Sequence, residues 1–284
     1  MQLNQERRPR DVTENLTRDV TELVLIHGLT RRWQTFTPLL PSLESRYSLT
    51  LLDLPGHGLS DPNPKGYLVR DYAEAVVAWV DQFPVKNFAI YGHSLGAMVA
   101  LQAAAERPDR VTRVILEDPP FETMGDRIGQ TIWISHFTQV HRLRNDESFV
   151  HAERTEQVAM LADIILTDPV TGASYRMGDQ RDASSLRFMA ACVMKMQSEV
   201  IEPVIAGRWL EGWSWHDAAA QVKQPTLILR ADEHSGGMLA ASDAERLCEL
   251  LSDPVPVLFK NSAHNLHWLR TQDVCNCVHT FLDS

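Results

Sequence analysis

Residues 88–100, which read FAIYGHSLGAMVA, are the stretch of sequence that decides the fold of this chain. The apolar run at 88–91 predicts a short buried strand, and the small-residue run that starts at Ala97 predicts a helix. Between them stands Gly92-His93-Ser94-Leu95-Gly96, a G-x-S-x-G pentapeptide. A strand that passes so abruptly into a helix needs glycines, because larger side chains would collide in the turn. The pattern predicts that Ser94 projects its hydroxyl above a sheet, beside a helix N-terminus that stabilises negative charge.

Working outward from this segment, further apolar runs bounded by turn residues predict buried strands. These runs are residues 23–26, 47–54, 111–116, 226–229 and 255–259. Apolar residues at helical spacing predict helices between several of them. The helical segments are residues 71–83, 97–107, 240–251 and 271–282. Because strands alternate with helices, the sequence predicts an α/β fold with a mostly parallel sheet covered on both faces.

The stretch from 121 to 219 breaks this alternation. It contains no clear buried strand, only amphipathic helical segments that are rich in Trp, Met and His. The sequence therefore predicts a sheet domain formed by residues 1–120 and 220–284, with residues 121–219 inserted as a helical cap. We expect most of the cap's aromatic and methionine side chains to form its core and the others to line a pocket. Such a pocket suits a small-molecule substrate that is mainly an apolar acyl or aromatic compound.

Composition excludes several classes of function. A net charge of −10 over 284 residues argues against a nucleic-acid surface, which needs clustered Lys and Arg. No apolar run reaches the roughly 18 residues of a membrane span, and residues 1–20 lack the apolar core of a secretion signal. The cysteines, which show no paired CxxC spacing, are Cys192, Cys248, Cys275 and Cys277. We therefore expect a cytoplasmic protein with free thiols, no membrane partner, no metal and no organic cofactor.

A second motif, His27-Gly28-Leu29, follows the strand predicted at 23–26. Acyl transfer requires two backbone N–H donors that bind the oxyanion of the tetrahedral intermediate. One donor is expected from Leu95, the residue after Ser94, and the other from Leu29 in the loop after this strand. The His27 side chain is interpreted as a hydrogen-bonded loop histidine without a catalytic role.

These motifs together resemble the α/β-hydrolase superfamily. In chain order they are His27-Gly28, residues 53–60 (DLPGHGLS), Gly92 to Gly96, and Ala263-His264-Asn265. The resemblance covers nearly the whole chain outside residues 1–20 and the cap. It implies that Ser94 is the nucleophile that attacks an acyl carbonyl, and that residues 53–60 form a structural loop at the floor of the active site.

The superfamily places its catalytic residues in the order nucleophile, acid, histidine, so the general base is expected late in the chain. His264 follows the last predicted strand and matches this position, although Ala-His replaces the more usual Gly-His. Two rivals remain nearby. His267 is expected behind or beside the site, and His279 is expected to pack within the final helix.

The acid has two candidate positions. Most of the superfamily carries it shortly after the strand at 226–229, where this chain has His234 at the usual position and Asp232 out of register. The alternative is the end of the strand at 111–116, where Asp118 stands as the acid does in haloalkane dehalogenases and some lactonases. We favour Asp118 over Asp232. Two neighbouring glutamates are less favoured candidates: Glu117 and Glu233.

The resulting hypothesis is a serine hydrolase that cleaves an ester or lactone through an acyl-enzyme. A serine nucleophile argues against haloalkane dehalogenases and epoxide hydrolases, which use an aspartate. One alternative is a C–C bond hydrolase of ring-cleavage products, whose substrate carboxylate would be held by a cationic cap residue such as Arg187 or Arg208. Another alternative is a non-catalytic ligand-binding protein on the same scaffold.

Overall fold

The computed structural model describes residues 1–10 and 22–284. Its strands are β1 (Gln5–Arg8), β2 (Glu22–Ile26), β3 (Ser48–Leu52), β4 (Phe88–His93), β5 (Val111–Glu117), β6 (Ile165–Thr167), β7 (Ser174–Arg176), β8 (Thr226–Ala231) and β9 (Pro254–Phe259). Seven of them form one sheet in the order β1-β3-β2-β4-β5-β8-β9. All neighbours in this sheet are parallel except β1, which pairs antiparallel with β3. The predicted α/β fold with a mostly parallel sheet is therefore confirmed.

Helices connect and cover these strands. They are α1 (Leu40–Leu43), α2 (Val69–Gln82), α3 (Leu95–Glu106), α4 (Phe121–Met124), α5 (Ile132–Arg144), α6 (Glu147–His151), α7 (Arg154–Ala162), α8 (Met177–Gln180), α9 (Ala183–Val193), α10 (Glu202–Ile205), α11 (Trp215–Gln221), α12 (Ala241–Leu250), α13 (Leu266–Leu269) and α14 (Thr271–Leu282). Short 3-10 helices lie at Trp33–Phe36, Ile128–Gln130, Ser198–Ile201 and Glu233–Ser235. Among the described residues, no helix combines the length and the apolar character that crossing a bilayer requires.

Side chains alternate between the two faces of the sheet, so each face has its own apolar core. Along β2, Val24 and Ile26 belong to the core that α2, α3 and α12 cover. Leu23 and Leu25 belong to the opposite core, which α1 and α14 cover. Because every β2 side chain is buried, this strand appears in the sequence as a continuous apolar run over residues 23–26, after Glu22 at its start.

The predicted strand ends agree with the structure to within about two residues, and hydrogen bonds explain the differences. The strand predicted at 47–54 ends at Leu52. Beyond it, the Asp53 N–H donates to the Asn4 carbonyl at 3.0 Å and the Leu54 N–H donates to His27 Nε2 at 2.9 Å. Conversely, β8 extends to Ala231, because its last residues still pair with β9.

The segment between β5 and β8 contains α4 to α11 and a two-stranded hairpin formed by β6 and β7. The sequence indicated only helices here, since β7 is fully exposed and has no apolar run to reveal it. Two backbone hydrogen bonds connect the segment to the sheet domain. The Gln197 N–H donates to the Gly56 carbonyl at 2.8 Å, and the Val69 N–H donates to the Trp209 carbonyl at 3.0 Å. The boundaries of a separate cap at 121–219 stay a prediction.

Candidate active site

Ser94 stands in the turn between β4 and α3, and its backbone φ is +55°. This region is unfavourable for any residue with a β-carbon and costs about 1–3 kcal/mol. The glycines on either side allow the turn to close. A β-carbon on Gly96 would overlap the Ile26 carbonyl oxygen, and one on Gly92 would overlap the Gly96 carbonyl oxygen. The pentapeptide therefore holds the serine at the C-terminal end of the central strand.

The loop after β2 runs directly beside Ser94. A β-carbon on Gly28 would lie 2.9 Å from the Ser94 Cβ, so a glycine is needed for this approach. Leu29, the next residue, lines the same chamber as Ser94. Within the part of the chain that the structure describes, the backbone N–H groups of Leu29 and Leu95 donate no hydrogen bond. Both predicted oxyanion donors therefore lack an acceptor among residues 1–10 and 22–284.

His264 and Asp118 form a buried pair. The Nδ1 of His264 lies 2.7 Å from Oδ2 of Asp118, and neither side chain is more than a few per cent exposed. A carboxylate only accepts hydrogen bonds, so in the neutral imidazole the proton is on Nδ1 and the lone pair is on Nε2. This is the tautomer that a general base facing a serine requires.

The Asp118 carboxylate is held from several sides. It accepts hydrogen bonds from the N–H groups of Ala231 at 3.0 Å, Met238 at 2.7 Å and Leu239 at 3.3 Å. These donors belong to the end of β8 and to the loop that follows it. The loop from which most of the superfamily would supply the acid thus binds the carboxylate of a neighbouring strand instead.

Asp232 takes a different position. Its carboxylate accepts from the backbone N–H of Asn261 at 2.9 Å and from that of His234 at 3.0 Å. The bond from Asn261 is the main reason that the pKa of Asp232 is lowered. Glu233 is exposed and lies 3.5 Å from Arg230. The carboxylates of Asp232 and Glu233 thus contact residues in and beside the loop after β8, and neither is bonded to His264.

Glu117 and His267 form a second buried pair beneath the site. His267 Nδ1 lies 2.8 Å from Glu117 Oε1, and His267 Nε2 lies 2.9 Å from the Thr35 hydroxyl. The His93 ring separates this pair from His264, with ring centroids 4.6 Å from each of the two histidines. Hydrogen bonds thereby account for both rival histidines. His267 bonds Glu117 and Thr35, and His279 bonds the hydroxyl groups of Ser42 and Tyr47.

Three ligand-type residues in this lower layer lie close enough together to hold a metal ion. They are His93, Glu117 and His267, whose donor atoms lie within 4.8 Å of one another. Glu117 and His267 already satisfy one another, and Glu117 also accepts from the Tyr91 hydroxyl at 2.6 Å. Within this set, Glu117 and His267 are therefore paired with one another, and His93 Nε2 lies 3.3 Å from the His264 carbonyl oxygen.

Two buried, neutral histidines stand in the loops after β2 and β3. His27 donates from Nδ1 to the Gly28 carbonyl at 2.8 Å, which agrees with its interpretation as a bonded loop histidine. His57 donates to the Pro55 carbonyl at 2.9 Å and accepts from the Thr30 N–H at 3.2 Å. Burial lowers the pKa of His27 to about 4 and that of His57 to about 3. Both rings therefore stay uncharged at neutral pH.

A narrow chamber at Ser94 opens into a larger cavity of about 370 Å³. Residues common to both spaces are Arg31, Trp133, His136, Arg181, His264 and Asn265. The aromatic lining agrees with the expectation of an apolar wall. Sequence reasoning did not identify Arg31 or Arg181, because single arginines in a loop and before a helix carry no recognisable pattern.

The arginines suggested as carboxylate ligands from the sequence are elsewhere. Arg187 is exposed on α9, and Arg208 is exposed and lies 3.5 Å from Glu211. Neither lines the chamber or the cavity. The structure therefore does not support that suggestion for these two residues, because both side chains are exposed and lie outside the chamber and the cavity.

Comparisons with known proteins agree with this architecture. Residues 22–271 match the alpha/beta hydrolase fold family. The 2-(acetamidomethylene)succinate hydrolase of Mesorhizobium japonicum is 25% identical over 266 residues, which are 92% of this chain and 88% of that protein. The pimeloyl-(acyl-carrier protein) methyl ester esterase of Shewanella woodyi is 29% identical over 233 residues, covering 77% and 84%. Among solved structures, the enol-lactonase of Burkholderia xenovorans has a TM-score of 0.71 at 16% identity, with 99% and 96% covered.

Proposed function

The chain belongs to the α/β-hydrolase fold family, and from this premise we propose that it is a serine hydrolase that cleaves a carboxylic ester or lactone. One observation carries the proposal. The 2.7 Å bond between His264 and Asp118 leaves His264 Nε2 as the base in the chamber that Ser94 lines. The similarity to an esterase and to a hydrolase of known substrate supports the reaction class.

The proposed reaction proceeds in two steps. His264 Nε2 takes the proton of the Ser94 hydroxyl while Oγ attacks the acyl carbonyl. The backbone N–H groups of Leu29 and Leu95 stabilise the oxyanion that forms. His264 then gives its proton to the departing alkoxide, and the acyl group remains on Ser94. In the second step the same nitrogen deprotonates a water molecule, whose attack releases the carboxylic acid and restores the serine.

Asp118 supports both steps without exchanging a proton. Its carboxylate stabilises the imidazolium that forms when His264 takes up a proton, and it orients the ring. Three backbone N–H groups hold the carboxylate in place, so little reorganisation is needed as charge develops.

The test compares wild type with Ser94→Ala on a panel of 4-nitrophenyl esters and lactones, together with labelling by a fluorophosphonate. We expect wild type to turn over at least one ester and to take up one label. Loss of the nucleophile should reduce kcat by about 10⁶-fold and abolish labelling. Circular dichroism controls for folding. A wild-type protein with neither turnover nor label would contradict the proposal and favour a non-catalytic binding protein.

A C–C bond hydrolase of ring-cleavage products is the second candidate, and one observation favours it. Such an enzyme needs a cationic group in the inserted segment, and Arg181 lines the chamber. Adding a ring-cleavage product to the same panel distinguishes the two reactions. Turnover of that compound with a kcat/KM above that of every ester would replace ester hydrolysis as the proposed activity.

A further inference from the structure

Two arginines at the chamber of Ser94 have no acidic partner. Arg31 stands in the loop after β2, and Arg181 stands immediately before α9, so the sheet domain and the inserted segment each contribute one. Both line the chamber and the larger cavity. Across residues 1–10 and 22–284, neither side chain forms an ion pair or a hydrogen bond.

Acidic side chains are sparse around this pair. Among residues 1–10 and 22–284, no aspartate or glutamate lines the chamber at Ser94. The cavity beyond it contains Asp182, but that carboxylate caps α9 by accepting from the Ser185 N–H at 2.8 Å. Burial and, to a smaller extent, the positive charge of Arg31 together lower the pKa of Arg181 to about 10. Two mostly buried guanidinium groups without a counter-ion are costly, and an anion bound between them would offset that cost.

A third polar group at the same place also lacks a partner. His136 on α5 is 5% exposed, and its Nδ1 forms no hydrogen bond among the described residues. Burial keeps the pKa of His136 well below its usual value, so the ring is neutral and can donate one hydrogen bond. In a chain whose net charge is −10, cationic and donor groups are thus concentrated beside the predicted nucleophile.

We propose that Arg31 and Arg181 bind a carboxylate of the substrate, so that the enzyme acts on small acyl compounds that carry a second, free carboxylate. This inference rests on the proposed function for the bond that is cleaved, whereas the binding of the anion does not depend on that function. Guanidinium groups match the planar carboxylate with paired N–H donors, and His136 Nδ1 can supply one more. Because both arginines line the junction of the two spaces, the carboxylate lies at the entrance of the narrow chamber.

The substrate carboxylate can belong to the acyl group or to the leaving group, and matched substrates distinguish these sources. One pair is mono-4-nitrophenyl glutarate and its methyl ester, in which the charge is on the acyl side. The other pair is 4-acetoxybenzoate and its methyl ester, in which it is on the leaving group. Within each pair a methyl group masks the charge of the carboxylate, so the ratio of their kcat/KM values reports recognition of the free carboxylate.

In wild type we expect the free acid of at least one pair to be preferred at least about 10-fold. Arg31→Gln and Arg181→Gln should bring this ratio close to 1, mainly by raising KM for the acid. Arg181→Lys keeps the charge and should retain part of the preference. Arg187→Gln is the matched control on the exposed face of α9 and should leave the ratio at its wild-type value. A wild-type ratio near 1 in both pairs, or an unchanged ratio in the glutamine variants, would overturn the carboxylate site.

A binding measurement separates this inference from the hydrolytic function. Isothermal titration calorimetry on Ser94→Ala compares monomethyl glutarate with dimethyl glutarate. We expect binding of the monoanion alone, and its loss when Arg181→Gln is added. That result would support the site even in a protein that turned over no ester. Equal binding of the two compounds, or binding that survives both arginine substitutions, would reject the site while leaving ester hydrolysis intact.

Discussion

Glu117 and Asp118 are neighbours in the chain, yet each binds a different histidine. The Glu117 side chain joins the lower layer with Tyr91 and His267, and Asp118 joins His264. Successive residues at the end of a strand point in different directions, so only one of two adjacent carboxylates can reach a given ring. The positive φ of Asp118, +46°, completes this turn away from the strand.

Replacing the acid should affect catalysis far more than stability. In Asp118→Asn the amide no longer fixes the proton on His264 Nδ1, and we expect kcat to fall by about 10⁴-fold. The matched control is Asp232→Asn, which alters a loop carboxylate of equal size and should keep kcat near wild type. Steady-state kinetics on the best ester gives the comparison. Equal losses in the two variants would contradict the assignment of Asp118.

The Glu117–His267 pair should matter for stability. His267→Ala removes one of the three donors to the fully buried Glu117 carboxylate, while the Tyr91 hydroxyl and the backbone N–H of residue 267 still donate to it. Removing one donor from a buried polar group costs about 1–3 kcal/mol. His151→Ala, on an exposed histidine of α6, should change the free energy of unfolding by less than about 0.5 kcal/mol. Urea denaturation measures both values. A loss below about 1 kcal/mol for His267→Ala would show that the pair is not structural.

At the level of elements, the unit formed by β4, the turn at Ser94 and α3 sets the position of Ser94, the proposed nucleophile. The turn N–H of Ser94 donates to the Glu117 carbonyl at 2.9 Å, which joins the turn to β5. Gly96 on α3 lies against the end of β2, so helix and strand approach at backbone distance. The close packing around this unit explains why Gly96 is the residue at this contact.

A β-carbon at this contact should therefore be poorly tolerated. In Gly96→Ala the new methyl group overlaps the Ile26 carbonyl, and separating α3 from β2 should cost more than about 2 kcal/mol of unfolding free energy. Gly129→Ala is the control, because a β-carbon there meets no atom within 4 Å. Thermal and urea unfolding compare the two. If Gly96→Ala unfolds at the wild-type midpoint, the contact is less restrictive than described.

At the scale of the whole molecule, the buried histidines make the fold sensitive to acid. His27 and His57 are neutral rings whose hydrogen bonds join the loops after β2 and β3. Their pKa values are about 4 and 3. In the unfolded chain both titrate near 6.5. The unfolded state therefore binds more protons than the folded state between pH 6.5 and the folded pKa of each ring. The stability that each ring contributes is complete above pH 6.5, and it is lost progressively as the pH falls from there through the folded pKa.

Lowering the pH from 7 to 5 should reduce the free energy of unfolding by about 2 kcal/mol for each of these two histidines. Urea titrations at several pH values give the slope. His57→Gln removes one titrating ring and should make the slope shallower, even though it also weakens the fold at pH 7. The exposed His151→Gln should leave the slope unchanged. A His57→Gln slope equal to that of wild type would contradict the link between this ring and acid sensitivity.

Local patterns in the sequence were sufficient to predict the α/β fold with a mostly parallel sheet, the turn at Ser94, and His264 as the candidate base. Buried parallel strands must be apolar along their whole length, and a strand-to-helix turn this tight tolerates only glycine at its flanks. Both constraints act within a few residues, so they can be recognised without a structure. The prediction of Ser94 and His264 as catalytic residues rests on such local evidence.

Tertiary structure alone decided which carboxylate meets His264 and which cations meet the chamber. Asp118 and His264 are 146 positions apart, and the chain contains several acids at strand ends that compete for the same role. Arg31 and Arg181 converge only because the inserted segment folds over the sheet. Contacts between distant segments depend on how whole elements pack, and packing leaves no periodic mark at a single arginine or aspartate. For this reason the sequence alone predicted the fold class and the candidate residues Ser94 and His264, whereas only the folded chain decided which carboxylate bonds His264 and which charged side chains line the chamber.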